Sequence, residues 1–408
     1  MRSTGSQPVE ADRVGRMPGV RRLPGAVVAT AFATLIAFMG IGVVDPILPV
    51  IGRAMGATAP QVELLFTSYI AVMALTMLVS GVLATHLGGR RTMLLGLGVV
   101  VVFATLSGLS NGIPMLAAMR GFWGFGNSMF TSTALSIIVG ASTGTVAEAI
   151  TLYEAALGLG IASGPLLGGL LGSMSWRYPF FGTAVLMAVA FTATFAAVHD
   201  TGRKEAPRRM RDIVQALGHP DVLSNALAGL AYSYGFFTIL AYSPLALGFS
   251  ALTLGLIYFA WGILVAVSSV LLVNILRPRF GAIPVLLVNL CLLIVLFVAV
   301  GLADRKAVDM ALIIASGLFC GVANALFTTL AIEVSPFSRS ISSGAYNFLR
   351  WSGAALAPVL SGVIALAAGP RVPFLVGACV IAAGTVVLWL RRHRLAAALV
   401  KYVAINEG

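Results

Sequence analysis

The chain has 408 residues, of which 59% are apolar and only 10% are Asp, Glu, Lys or Arg, with a mean hydropathy of +0.99. A soluble domain carries about 25% charged residues, so this composition excludes a chain that keeps its whole surface wet and describes an integral membrane protein. The formal net charge of +12 invites a nucleic-acid reading that the placement of the basic residues removes.

In chain order the apolar runs predict twelve membrane helices, at residues 25–50, 61–85, 92–112, 114–139, 147–172, 177–198, 223–247, 252–276, 282–303, 308–333, 341–367 and 372–390. Most approach the ~20 residues that cross a bilayer core of about 30 Å. An even number puts both ends on one face. Residues 1–24 are basic, but the run that follows is too long for a secretion signal and contains Asp45, so they read as a tail leading into the first helix. With that tail in the cytoplasm, 19 of the 26 Lys and Arg fall in cytoplasmic segments. This is the positive-inside pattern, so the charge reports orientation.

The longest polar interruption, HDTGRKEAPRRMRDIVQALGHPD, separates the sixth and seventh runs. It predicts six-helix bundles at 25–198 and 223–390, a cytoplasmic linker at 199–222 and a cytoplasmic tail at 391–408. The bundles echo each other. GFGNSMFT, from Gly124, matches GVANALFT, from Gly321; Tyr153, Gly160 and Pro165 recur as Tyr346, Gly353 and Pro358, all shifted by 193; WRYPFFG is answered by PRVPFLVG. Three echoes in order mark a duplicated unit with a pseudo-twofold axis along the membrane normal and a site between the halves.

Four ionisable residues stand out inside the runs: Asp45, Arg120, Glu154 and Arg350. A charge in hydrocarbon is costly unless paired, hydrated or neutralised. Helical rise places Glu154 and Arg350 roughly 10–14 Å in from the cytoplasmic helix starts, and Asp45 and Arg120 in the outer third. Depth thus suggests an outer acid–base pair and an inner one. Either both are static ion pairs that fix helix register, or at least one acid changes protonation as its surroundings change. In the second reading Asp45 and Glu154 carry protons and Arg120 modulates Asp45.

On the fourth helix Arg120, Gly124, Asn127, Ser128 and Thr131 share one face, and on the tenth Gly317, Gly321, Asn324 and Thr328 do. The seventh run is aromatic, with Tyr232, Phe236 and Tyr242 among its rings, and the first offers Phe38 and Ile41 beside Asp45. The expected ligand wall is therefore Phe38, Ile41, Asp45, Asn127, Thr131, Tyr232, Phe236, Tyr242, Asn324 and Thr328, each ring having packing as its alternative. Such a wall suits a bulky amphipathic or cationic molecule better than a sugar, which needs many paired donors and acceptors.

Cys291, Cys320 and Cys379 lie singly, without metal-ligand spacing, so no metal or cofactor is expected. No GxxxxGK[ST] loop occurs, which argues against an ATP-driven pump. His86, His199, His219 and His393 fall in loops or at helix ends, leaving none opposite a membrane Ser for acyl chemistry. A non-transporting sensor on the same fold is separated only by a flux assay.

Three motifs carry a family resemblance: GVLATHLGGRR between the second and third runs, RGFWGFG in the fourth, and GIASGPLLGG in the fifth. With them the sequence resembles the major facilitator superfamily, and within it the twelve-helix drug:proton antiporter branch of bacterial multidrug efflux proteins. It departs from the family pattern where Thr85, His86 and Gly89 replace an acid and two arginines, and where Trp123 replaces a glutamine. Loss of the acid weakens the expected cytoplasmic latch. The resemblance implies an all-α fold of two pseudo-twofold-related bundles, with the first, fourth, seventh and tenth helices lining a central cavity that opens alternately to each side. It implies gating by Gly81, Gly88, Arg90 and Arg91 in the loop and by Gly160, Gly164, Pro165, Gly168 and Gly169 in the fifth helix. Close packing through small residues is the plainer reading of those glycines. Small molecules and protons are the implied partners, in a monomer of the bacterial inner membrane; a dedicated exporter of one metabolite or lipid-like compound is the alternative.

Overall fold

The computed structural model describes residues 24–143, 146–199, 210–337 and 339–407. These are helical nearly throughout, with no strand among them. Twelve long helices follow in order: α1 (Gly25–Met55), α2 (Ala59–Leu87), α3 (Gly89–Leu109), α4 (Ile113–Ala141), α5 (Val146–Gly172), α6 (Tyr178–Ala197), α7 (Pro220–Leu247), α8 (Ala251–Phe280), α9 (Ala282–Leu302), α10 (Lys306–Glu333), α11 (Arg339–Ala368) and α12 (Val372–Glu407). Eleven of them contain a stretch long and apolar enough to cross a bilayer, the exception being α4, which carries Arg120, Asn127 and several Ser and Thr. The protein is thus a multi-pass membrane protein with the predicted all-α architecture. Below, "inner" is the side on which α1 starts.

Two segments expected outside the membrane runs carry helix. The tail predicted at 391–408 is helical to Glu407, because Arg391 to Lys401 is rich in Ala, Leu and Arg, all good helix formers. Part of the linker also folds: a short helix, Met210–Leu217, lays Ile213, Ala216 and Leu217 against Val222, Phe337, Ile341 and Ala345 at the inner end of α11.

The predicted duplication reappears as repeated geometry. Gly88, between α2 and α3, has φ +85°, and Gly281, between α8 and α9, has φ +84°. Only glycine adopts that conformation cheaply, which is the local reason for Gly88. Arg177 donates to the Gly108 carbonyl at 2.6 Å, closing α6 onto the end of α3, and Arg371 donates to the Val300 carbonyl at 3.2 Å, closing α12 onto α9. A Cβ added at Gly160 would strike the Leu35 carbonyl of α1, and one at Gly353 the Leu230 carbonyl of α7.

The halves meet along α2 with α11 and α5 with α8. Thr67 donates to the Ala355 carbonyl at 2.9 Å, and Phe66 and Phe237 pack with ring centroids 5.3 Å apart. Pro60 abuts Gly362, Gly169 abuts Gly255, and Ala162 abuts Gly262. All of these contacts fall in the outer halves of the helices. Residues 48–55 and 243–247 bring the outer ends of α1 and α7 together, and no seam of that extent joins α4 to α10.

Candidate functional site

Three fully buried ionisable residues, Asp45, Glu63 and Arg120, lie in the outer part of the first bundle. α1 is α-helical to Gly42, tightens into a 3-10 turn at Asp45–Ile47, and resumes at Leu48. Pro46 and Pro49 lack the amide hydrogens that a continuous helix would use, so the break is written locally. Asp45 sits at the break and is fully buried. The turn packs against α5 and α8; a Cβ added at Gly42 would lie 3.0 Å from the Pro165 ring and 3.6 Å from an Asp45 carboxylate oxygen.

A second acid, Glu63, joins it from α2 and is also fully buried. That helix starts at a capping box, in which Thr58 N–H donates to Gln61 Oε1 at 2.9 Å, with Pro60 in the first turn. Glu63 is thereby drawn inside the membrane helix. No carboxylate oxygen of Asp45 or Glu63 has a hydrogen-bond partner. The two acids interact electrostatically with each other and with Tyr258 of α8, and Glu63 also with Tyr242 of α7.

Arg120 completes the group from α4, within electrostatic range of Asp45. The expected outer ion pair does not form. Arg120 Nε donates to the Leu65 carbonyl and Nη1 to the Gly40 carbonyl, each at 3.2 Å, while its guanidinium lies 4.4 Å from the Tyr69 ring and 4.8 Å from the Trp123 ring. Trp123, where the family pattern has glutamine, thus covers the arginine; Gly40 leaves room for its indole. The helix break turns Asp45 towards α5 and α8 and leaves Arg120 to backbone and rings. Its Nη2 has no partner.

Of the inner pair, Arg350 is half-buried with its guanidinium 5.1 Å from the Trp351 ring, and it interacts with Tyr232 and Tyr346. The side chain of Glu154 lies outside the described residues, as do details of Gly81 and Thr85.

The expected ligand wall is largely drawn into packing. Asn127 donates to the Tyr69 hydroxyl at 2.7 Å, Thr131 to the Asn127 carbonyl at 3.0 Å, Tyr232 to the Cys320 carbonyl at 2.7 Å and Tyr242 to the Pro370 carbonyl at 2.8 Å. Phe236 sits between Tyr232 and Trp261, its ring centroid 6.0 and 5.0 Å from theirs. Phe38 and Ile41 are buried, Phe38 against Gly160. The shared faces divide in the same way, Gly124 and Ser128 meeting Tyr69 and Ser80 of α2, and Gly321 meeting Val265 and Ser268 of α8. Buried polar atoms take partners wherever a neighbouring backbone offers one, so these residues pack within one bundle. Asn324, Thr328 and Arg350 alone among the expected and described ligand or proton residues remain half-open.

The glycines of α5 serve two seams. Cβ atoms at Gly160, Gly164 and Gly168 would strike the Leu35, Met39 and Val43 carbonyls of α1, inside one bundle, whereas Gly169 and the Pro165 carbonyl face Gly255 across the halves. In the loop, Arg90 donates to the Val198 and Phe195 carbonyls at 2.5 and 3.1 Å, tying it to the end of α6, while Arg91 is exposed.

Glu63 stands at the very start of the second apolar run, where Pro60, Gln61 and Glu63 resemble a loop edge rather than membrane helix. The signal in the sequence is an acid two residues beyond a Thr–Ala–Pro–Gln helix start.

The model of the Major Facilitator Superfamily matches residues 30–358. The chain belongs to this superfamily. It is 40% identical over 385 residues to a Bacillus subtilis protein named multidrug efflux protein YfmO, covering 94% of this chain and 97% of that one. A more distant match, 26% identical over 41% of this chain and 44% of the relative, is the Staphylococcus aureus quinolone resistance protein NorA. Among solved structures, a bacterial homologue of the human lysosomal transporter Spinster superposes with a TM-score of 0.75 at 14% identity, over 92% of this chain and 97% of that one, a likeness of fold. Superfamily membership makes the chain a transporter and not an enzyme.

Proposed function

We propose that the protein exports small amphipathic or cationic molecules in exchange for protons, by alternating access between its two halves, with both termini in the cytoplasm of a bacterial cell. The observation that carries this reading is Asp45: a carboxyl wholly buried at a helix break between the halves, with no hydrogen-bond partner and no ion pair. A purely structural acid in a membrane is held by partners; one without them is positioned to bind and release a proton. The name of the Bacillus subtilis relative supports drug efflux as the task. The half-open Asn324, Thr328 and Arg350 support a polar patch facing the space between the bundles. One proton entering down roughly 150 mV releases about 3.5 kcal/mol, enough to sustain a gradient of a few hundred-fold in a neutral cargo.

The test is substrate-driven proton movement in proteoliposomes across a panel of unrelated toxic cations and neutral compounds. Asp45→Asn is expected to reduce exchange at least tenfold, and wild-type exchange in that variant would remove Asp45 from the mechanism. Glu154→Gln tests the second carrier in the same assay. Transport of one compound alone would favour the dedicated exporter.

A further inference from the structure

Arg350 carries a charge that nothing described answers. It stands well inside α11, half-buried, with its guanidinium 5.1 Å from the Trp351 ring and no hydrogen bond or ion pair to any described residue. A guanidinium at this depth is costly unless water or an anion meets it.

The contacts of α11 show where the side chain points. Tyr346 and Gly353 meet α7: a Cβ added at Gly229 would strike the Tyr346 ring, and one at Gly353 the Leu230 carbonyl. Ala355 and Gly362 meet α2, through Thr67 and Pro60. At about 100° per residue Arg350 falls between these two stripes, while the exposed Leu356, Val363 and Leu366 lie on the opposite face. The apolar exposed face turns to lipid, so Arg350 turns to the space between the halves, on the inner side of the seam.

No acid on the elements packed against α11 reaches it. Asp309 and Glu333 of α10 are the bidentate partners of Arg371 and Arg277. Asp221 stands in the first turn of α7, 4.0 Å from His219, and Asp212 lies on the linker helix at the inner end. Glu63 is at the outer end of α2, and Glu154 belongs to α5, which packs against α1 and α8. What lies beside Arg350 is neutral. Tyr346, one turn before it on the same face of α11, is next to Thr328 of α10. Asn324, one turn from Thr328, is half-open, and its Oδ1 has no partner. A fixed cation among neutral hydrogen-bonding groups fits a carboxylate, whose two oxygens match the guanidinium fork, and repels a simple organic cation.

We infer that Arg350 binds an acid group of the cargo, a carboxylate carried by an aromatic amphiphile, with Thr328 and Asn324 as neutral neighbours. The inference rests on the export reading and narrows its substrate class to amphiphiles that bear an acid, zwitterions included.

The test uses the full chain in lipid nanodiscs and two fluorescent probes, rhodamine B and its ethyl ester, which share a xanthene cation and differ in the free carboxylate. Equilibrium binding is expected to favour rhodamine B about tenfold, the scale of one charge-assisted pair. Arg350→Gln is expected to remove this preference, and Arg350→Lys to keep part of it, since a point charge replaces the fork. On the wild type, benzoate is expected to displace rhodamine B and benzamide to leave it bound. A wild type without the preference, or an Arg350→Gln protein that retains it, overturns the inference. Equal displacement by benzoate and benzamide overturns it even where the variants fail to fold. In proteoliposomes, preferred binding of rhodamine B without proton movement would overturn the exchange reading and leave the subsite standing; equal proton-coupled flux of acid and ester would overturn the subsite alone.

Discussion

Arg177 and Arg371 occupy equivalent positions in the two halves, and each fastens the start of a sixth helix to the end of a third. They differ in the second partner: Asn111 for Arg177 at 3.0 Å and the carboxylate of Asp309 for Arg371. The hydrogen bonds that Arg371 donates to the Asp309 carboxylate hold its guanidinium above its ordinary range. Since Asp309 is 1% exposed and the Arg371 side chain 34%, Arg371→Ala is expected to cost about 1–3 kcal/mol, less than a fully buried pair because solvent screens the arginine. The thermal midpoint of purified protein should fall, and adding Asp309→Asn should recover part of the loss by removing the stranded charge. Arg177→Ala, which strands no charge, should cost less. Asp45 was legible as a site residue because a lone acid in an apolar run is conspicuous, whereas Glu63 was hidden by sitting where a run begins.

At the scale of one helix, α5 shows how spacing and partner divide the work. Gly160, Gly164 and Gly168 recur every four residues and so line one stripe, while Gly169 lies about 100° further round. The stripe faces α1 and the odd glycine faces α8. Gly168→Ala is expected to lower the thermal midpoint, since its Cβ meets the Val43 carbonyl, and to leave the separation of the halves unchanged. Gly169→Ala, meeting Ala251 and Gly255 in the other half, should keep most of the stability and lengthen the distance between spin labels at Ala54→Cys and Asp304→Cys, with the native cysteines replaced. Reversed outcomes would mean that the two seams had been assigned the wrong way round. The division was present in the spacing, but the helix that each stripe would meet was not.

Across the whole molecule, twelve helices and an inner excess of Lys and Arg fix the expected orientation. A single cysteine at Ala57→Cys should react with a membrane-impermeant thiol reagent on intact cells, and one at His86→Cys only after permeabilisation, again with the native cysteines replaced. Equal labelling from outside would invert the topology. The duplication extends beyond matched residues to matched backbone conformations at Gly88 and Gly281. Turns of this kind are visible in sequence as glycines, and their equivalence as the shift of 193 residues between halves.

The all-helical membrane architecture, the repeat and the lone aspartate in the first helix could be read from the sequence, because apolar run length, matched motifs and proline act through local free energies that need no knowledge of the neighbours. Tertiary structure decided which side chain each polar group meets: that Arg120 is held by carbonyls and rings, that Glu63 is as deeply buried as Asp45, and that most of the presumed ligand wall is internal packing. Those outcomes depend on which backbone happens to pass within hydrogen-bonding reach, and residues far apart along the chain compete for it only once the bundles have formed.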